Sequence, residues 1–408
     1  LVCFGIYFFA LTRYDKTVRK GERIMEKPGL KGSYFSYFLM YNFHYMALAL
    51  YSGLVSVYLM DRGFTATQVS TVIGVQYLLA ILGQPVVGRL NDRFERKRVN
   101  TLLLVLAIGT GVAFIFARSL WPAAAAYAVT TALTGGVNTV VESMATTAPY
   151  RYGSIRIWGT IGYAVGLQAG GWLYRFVTPD AMYYGYVVCM LLSLVGLWLT
   201  ADEAAPAAAR EKGGRGGIFT GRFLLYLLIV ALFYGPAMVS TTYLPAMYYA
   251  AGMTVDAVSF VVFLGTMMEL PLIFFSGRFM NRVHSKKLLL LAYTMIMVQF
   301  AVYAFVPLIP VRAVTTVLIR SVTTMIFLML NLKIVATLVP PESRMTALAL
   351  VASFKSLVAI GFQRLGGAII DSMSYERFYL TLLCVTAAGF VLSLLSPIDS
   401  GDGLDMFK

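Results

Sequence analysis

Charge is scarce in this chain. Of its 408 residues only 13% are charged, against 59% that are hydrophobic, and the mean hydropathy is +0.75. Water-soluble domains carry about 25% charged residues, so a soluble globular fold is excluded. Histidine is nearly absent, with His44 and His284 the only two, and the three cysteines, Cys3, Cys189 and Cys384, lie far apart without metal-ligand or disulfide spacing. So few ligating side chains, with no activated nucleophile or acid pair brought together, lead us to expect no enzyme, no metal and no cofactor. The cysteines read as apolar filling. Acids are the scarcer sign, 19 against 33 Lys and Arg, leaving a net charge of +14. A nucleic-acid partner would need those cations gathered on one folded face. They fall instead in short breaks between apolar runs, so the expected partner is a lipid bilayer and not nucleic acid.

What is present is a long series of apolar runs. Backbone amides in lipid must be paired within their own segment, so each run becomes a helix, and about 20 residues cross the hydrocarbon. Spans 1 to 6 are predicted at Tyr34 to Met60, Val69 to Val87, Val99 to Ala117, Trp121 to Ala145, Ile155 to Phe176 and Met182 to Thr200. Spans 7 to 12 follow at Phe223 to Tyr248, Val255 to Phe275, Leu288 to Val306, Val314 to Leu338, Met345 to Ile370 and Phe378 to Leu395. Residues 201–222, with Pro206, an alanine run, several glycines and Arg210, Lys212 and Arg215, read as a charged flexible linker. The expectation is an all-α integral membrane protein of twelve transmembrane helices, in two six-helix bundles (25–200 and 223–397) around a central cavity, with a tail at 398–408.

Residues 1–24 read differently. Lys20-Gly21-Glu22-Arg23-Ile24 stands directly before Met25 and looks like a translated ribosome-binding element, so Met25 is the expected start. The apolar run from Leu1 to Leu11 is too short to span, and no basic segment precedes it as in a signal peptide.

Loop charge orients the spans. Lys27, Lys31, the cluster from Arg89 to Arg98, Arg151, the linker, the stretch from Arg278 to Lys287 and Arg344 all fall on one side, which the positive-inside rule makes cytoplasmic together with both termini. The halves also repeat at one offset. Gly277 minus Gly88 and Gly252 minus Gly63 both give 189, so Gly63-Phe64-Thr65 faces Gly252-Met253-Thr254, and Gly88-Arg89 with Arg93 faces Gly277-Arg278 with Arg282. Parallel repeats of six spans are typical of transporters whose site lies between the halves near the midplane.

The loop Gly88-Arg89-Leu90-Asn91-Asp92-Arg93-Phe94-Glu95-Arg96-Lys97-Arg98 resembles the signature loop of the major facilitator superfamily, although that pattern usually has glycine at Glu95. Gly88 would allow close helix approach, Asp92 would meet a helix end or an arginine, and Arg93, Arg96 and Lys97 would hold the loop at the cytoplasmic surface. The second copy, Gly277 through Lys287, has Asn281 where the first has Asp92. A narrower resemblance lies in Tyr152-Gly153-Ser154-Ile155-Arg156-Ile157-Trp158-Gly159-Thr160-Ile161-Gly162-Tyr163, in Gln84-Pro85-Val86-Val87-Gly88 and in Phe354-Lys355. These are similar to the oligosaccharide:proton symporter group that includes lactose permease and phenylpropionate permease.

The resemblance implies a secondary transporter, working as a monomer by alternating access in the bacterial cytoplasmic membrane. It would move a small polar or anionic solute (sugar, oligosaccharide, nucleoside or aromatic acid) with protons. A drug or metabolite exporter of the same superfamily is the alternative, and a membrane receptor a distant one. In the group's lactose permease, the arginine matching Arg156 holds sugar hydroxyls, the aromatic matching Tyr163 stacks on the ring, and an acid of span 4 completes the site. Here the span-4 acid is Glu142, displaced by about one helical turn, and an ion pair near the cytoplasmic end is the competing reading. Glu269 in Met268-Glu269-Leu270-Pro271 falls where the group has a sugar-binding and coupling carboxylate. A carboxylate there costs about 2.5 to 3.5 kcal/mol on insertion scales, which favours a functional role. The group's proton-handling arginine, histidine and glutamate fall at Gln299, Thr323 and Ile326, and an asparagine after the span-8 acid becomes Leu272, so proton coupling is left to Glu269 or Glu142. Arg320, Lys333, Lys355 and Arg364 also lie in predicted spans. Lys355 stands about ten residues into span 11, about 15 Å along the helix and so near midplane, and this excess of cations suits an anionic substrate. Lys333 and Arg364 would reach toward the interfaces. Tyr37 and Tyr41 join Tyr163 as aromatic substrate contacts, and His44 would either titrate or be a hydrogen-bonded structural histidine.

Overall fold

A computed structural model describes residues 30–201, 220–272, 283–340 and 343–396. The proposed leader and Met25, linker residues 202–219, the tail and the second basic loop with Gly277, Asn281 and Arg282 lie outside the described residues, as does the side chain of Asp92.

Among the described residues the regular structure is helical throughout. The first half contains α1 (Tyr34–Ser52), α2 (Val55–Asp61), α3 (Ala66–Arg93), α4 (Arg96–Phe116), α5 (Leu120–Thr147), α6 (Tyr152–Phe176) and α7 (Ala181–Leu199). The second contains α8 (Gly221–Ala250), α9 (Val255–Met267), α10 (Ser285–Phe305), α11 (Ile309–Thr315), a π-helical turn (Thr316–Arg320), α12 (Ser321–Leu338), α13 (Arg344–Ser372) and α14 (Tyr375–Leu395). Span 1 is therefore α1 plus α2, and span 10 is α11, the π turn and α12. Ten of these segments are long and apolar enough to cross a membrane. The other two, α5 and α6, have 28 and 25 residues and complete a twelve-segment arrangement. The chain is a multi-pass membrane protein.

Two spans differ from the continuous helices expected of them. Span 1 breaks at Gly53 and Leu54, where the Gly53 amide donates to Ala49 O at 2.9 Å and closes α1. Span 10 widens at Thr316–Arg320, a π turn of the kind often found at functional sites.

Local sequence signals set the helix starts. Thr65 and Gln68 form a reciprocal capping box at α3, with Thr65 Oγ1 accepting from Gln68 N at 3.2 Å and Gln68 Oε1 accepting from Thr65 N at 3.0 Å. The 189-residue repeat is visible in the backbone. Gly63 and Gly252 have φ of +87° and +92°, a region that favours glycine. Gly63 N donates to Met60 O and Phe64 N to Leu59 O, and Gly252 N to Tyr249 O and Met253 N to Tyr248 O, the same two bonds at the same offset. The repeat also sets a pair of lysines. Lys97 Nζ donates to Thr200 O at 2.6 Å, at the C-terminal end of α7, and Lys286 Nζ donates to Ser396 O at 3.0 Å, at the C-terminal end of α14. A cation there satisfies an orphan carbonyl and opposes the negative end of the helix dipole.

The remaining signature-loop residues are simply placed. Arg93 is exposed, Arg96 half-buried, and Arg98 pairs with Glu95 at 2.7 Å. The expected close approach at Gly88 is not found: a Cβ there would meet nothing within 4 Å. The close approach lies instead between α1 and α6. A Cβ on Gly162 or Gly166 would run into the backbone oxygens of Asn42 and Met46, so small residues on α6 let α1 pack against it.

The halves meet through α3 against α13 and α6 against α9. Their cross-contacts gather at one end. Both oxygens of Asp371, on the last turn of α13, accept from the first amides of α3, Ala66 N and Thr67 N, each at 2.7 Å. Tyr243 Oη donates to Ala66 O at 2.7 Å. Arg175 pairs with Asp256 at 2.7 Å, and Arg364, which is Arg175 plus 189, donates to Thr71 at 3.1 Å. All of this lies at the end away from the basic loops. Toward the basic end α3 is exposed at Leu82, Gln84, Pro85 and Val86, on more than one of its faces, whereas Val69, Ser70 and Val72 are buried. The halves are closed at the far end and apart at the basic end.

Candidate functional site

The first half brings four polar side chains to one carboxylate. Glu142, near the end of α5, accepts from Tyr41 Oη at 2.8 Å, Tyr45 Oη at 2.6 Å and Arg156 Nη1 at 2.5 Å through Oε1, and from Tyr152 Oη at 3.0 Å through Oε2. Arg156 Nη1 also donates to Tyr41 Oη at 2.9 Å and Tyr45 Oη at 3.1 Å. Helical spacing explains the set. Tyr41 and Tyr45 are four apart on α1, Tyr152 and Arg156 four apart on α6, and residues at that spacing share a face. The ion pair is half-buried, with 39% of the Arg156 side chain and 27% of that of Glu142 exposed, so a solute entering between the halves can compete for its donors and acceptors.

The second half contributes Glu269, two residues beyond α9. It faces Ser321 and lies in the field of Arg320 and, across the interface, of Arg156. Tyr163 of α6 lies in the field of both Arg320 and Glu269. The π turn ends on Arg320, and beside it is a small hollow lined by Ser240, Thr241, Gln299, Arg320 and Thr323. The positions that replace the group's proton-handling residues are thus partly gathered around Arg320, with Gln299 Nε2 donating to Tyr303 Oη at 3.3 Å.

Lys355 does not meet Glu269. Its Nζ lies 3.6 Å from the centroid of the Tyr234 ring on α8, a cation–π contact. Lys333 is buried, and Arg364 reaches across to α3. Tyr37 is not brought to the Glu142 group. Buried, it packs edge-on against Tyr150 with ring centroids 5.8 Å apart. His44 is fully buried and edge-on to Tyr45, one helical turn from the carboxylate's ligands. Most other tyrosines are packing: Tyr51, Tyr127, Tyr183 and Tyr186 form one aromatic core, and Phe233 stacks on Phe327 at 3.7 Å in the other half.

Tyr45, Tyr152 and Tyr234 were missed by sequence reasoning. The first two had a signal, since each stands one turn from a candidate residue on the same helix. Tyr234 had none, because its meeting with Lys355 joins α8 to α13. Among the described residues no group of three His, Cys, Asp or Glu is arranged to hold a metal ion.

The sequence profile of the MFS_1 like family matches residues 34–381. The maltose permease of Geobacillus stearothermophilus is 24% identical over 371 residues, covering 88% of this chain and 93% of that protein. The lactose permease of Klebsiella oxytoca is 21% identical over 365 residues, covering 81% and 86%. Among solved structures, the nucleoside transporter NupG superposes with a TM-score of 0.74 at 15% identity, covering 88% of this chain and 97% of that one. A D-xylose-proton symporter superposes at 0.67 and 14% identity, covering 89% and 96%.

Proposed function

The chain belongs to the MFS_1 like family of membrane transporters, and we propose that it carries a hydroxyl-rich small solute, a sugar or nucleoside, together with protons. The observation that carries this reading is the Glu142 group. One carboxylate, one guanidinium and three tyrosine hydroxyls form a set of donors and acceptors that sugar hydroxyls can replace one for one. Tyr163, on the same helix as Arg156, supplies an aromatic face in the field of Glu269. The similarity to a maltose permease, a lactose permease and a D-xylose-proton symporter supports the substrate class and the coupling.

In this reading the closed far end is extracellular, the basic loops and both termini are cytoplasmic, and the conformation is inward-open. The chain works as a monomer, with 25–200 and 223–397 as its two rocking bodies and 201–222 as their linker. Glu269 carries the proton. It sits where the halves meet, beside Arg320 and Ser321, so its surroundings change when the halves rock. Only a group whose affinity for the proton differs between conformations can couple proton and solute movement. Glu142 is held by Arg156 and three hydroxyls and serves the solute.

Purified protein is to be screened by thermal shift against maltose, lactose, xylose, uridine and an aromatic acid, since a ligand that favours the native state raises apparent stability. Stabilisation by the aromatic acid alone would refute the sugar or nucleoside reading. In proteoliposomes loaded with the stabilising solute, Glu269→Gln is expected to lose accumulation driven by a pH gradient while retaining counterflow. A variant that still concentrates solute against its gradient removes Glu269 from the coupling role.

A further inference from the structure

The intramembrane charges of the interface do not balance. Glu142 is paired with Arg156, and Glu269 lies in the field of Arg320. Arg364 is engaged by Thr71, and buried Lys333 has a partner of its own. Lys355 is left over: among the described residues no carboxylate lies against it, and its one charged-group contact is the face of the Tyr234 ring. A cation near the bilayer midplane that has only a ring for company marks a substrate or ion pathway by default. A second feature stands beside it. Tyr234 is 5% exposed, and its hydroxyl is buried with no hydrogen-bond partner. Buried hydroxyls are normally satisfied; other buried tyrosine hydroxyls also lack a partner, and Tyr234 is set apart from them by the cation against its ring.

We infer that Lys355 and Tyr234 form an anion subsite for a carboxylate carried on the hydroxyl-rich solute, so that the substrate is a sugar acid. This rests on the sugar reading of the Glu142 group and adds a charge to it. A carboxylate matches what is present: Lys355 exchanges the ring face for an oxygen, and the Tyr234 hydroxyl donates to the carboxylate as a neutral partner. The single negative charge cancels the single excess cation. A phosphate dianion would call for a second cation or a guanidinium fork. Among the described residues no second cation lies against the Tyr234 ring beside Lys355, and Arg156 is paired with Glu142 in the other half.

The test compares matched probes on the full-length protein: D-glucose with D-glucuronate, D-galactose with D-galacturonate, and D-glucose 6-phosphate as the dianion. Binding is read by thermal shift and by calorimetry. At least one acid is expected to bind about tenfold or more tightly than its neutral parent, the size of one charge-assisted hydrogen bond. Lys355→Gln is expected to erase that preference while leaving affinity for the neutral parent within about twofold, and Lys355→Arg to retain most of it. Tyr234→Phe, which keeps the ring and loses the hydroxyl, should weaken the acid alone. Neutral sugars binding as well as their acids, or a Lys355→Gln protein that keeps the acid preference, would overturn the subsite and leave the sugar reading standing. Preference for the 6-phosphate also overturns it. If neither acid binds, the subsite fails, and the sugar or nucleoside reading is decided separately by the maltose, lactose, xylose and uridine screen.

Discussion

The far-end closure should open when Asp371 loses its carboxylate. Asp371 caps α3 from the opposite half, accepting from Ala66 N and Thr67 N at 2.7 Å each. Those amides are among the orphan donors at the start of a helix, and the capping box of Thr65 reaches only Gln68 N. In Asp371→Ala both amides must turn to water. Removing a capping side chain costs about 0.5 to 2 kcal/mol, and because Asp371 is exposed the estimate is held to that range and not to the larger one for buried charges. Most of this loss falls on the closed arrangement, since the bond joins the halves. A shift of about 1 to 2 kcal/mol raises the fraction open at the far end by about 5- to 30-fold. Ser70 reports it. It is 2% exposed and sits behind the closure beside Gly367. In a background with the native cysteines replaced, Ser70→Cys is to be labelled with a membrane-impermeant maleimide from the far side. The rate should rise by that factor in Asp371→Ala, and less in Asp371→Asn, which keeps an acceptor. An unchanged rate in both would mean that the capping bonds do not hold the halves together.

Gly159→Ala would place a Cβ 2.5 Å from Tyr41 Cε1, a separation that carbon atoms do not tolerate. It should push Tyr41 off Glu142, and is expected to lower solute affinity by more than tenfold with the protein still folded by size-exclusion. Lys97→Met and Lys286→Met each remove a donor to the last carbonyls of a helix, a loss of about 1 kcal/mol. Each should lower the melting temperature by a few degrees and the double variant by about the sum, because the two sites lie in different halves. A shift in only one would refute the equivalence of the repeats.

Much of this molecule is legible along the chain. Length and hydropathy determine where helices lie, because backbone in lipid has no other way to pair its polar groups. The 189-residue offset marks equivalent turns, and Gly63 and Gly252 adopt the same positive φ there because the same glycine answers the same turn. Lys97 and Lys286 show that the repeat extends to side chains. Arg156 could be named from the family resemblance, and because spacing assigns faces within one helix, Tyr45 and Tyr152 were within reach.

What the tertiary structure alone decides is which faces meet. Hydropathy does not distinguish a lipid-facing side from a helix-facing one, since lipid tails are as apolar as leucine. Glu142 and Tyr41 are 101 residues apart, and Lys355 and Tyr234 more than that. The π turn at Thr316–Arg320 ends on an arginine whose field reaches Glu269, whereas Lys355 lies against the Tyr234 ring. Closure at one end is likewise a property of two packed halves, because Asp371 and the start of α3 are separated by 305 residues and have meaning only against each other.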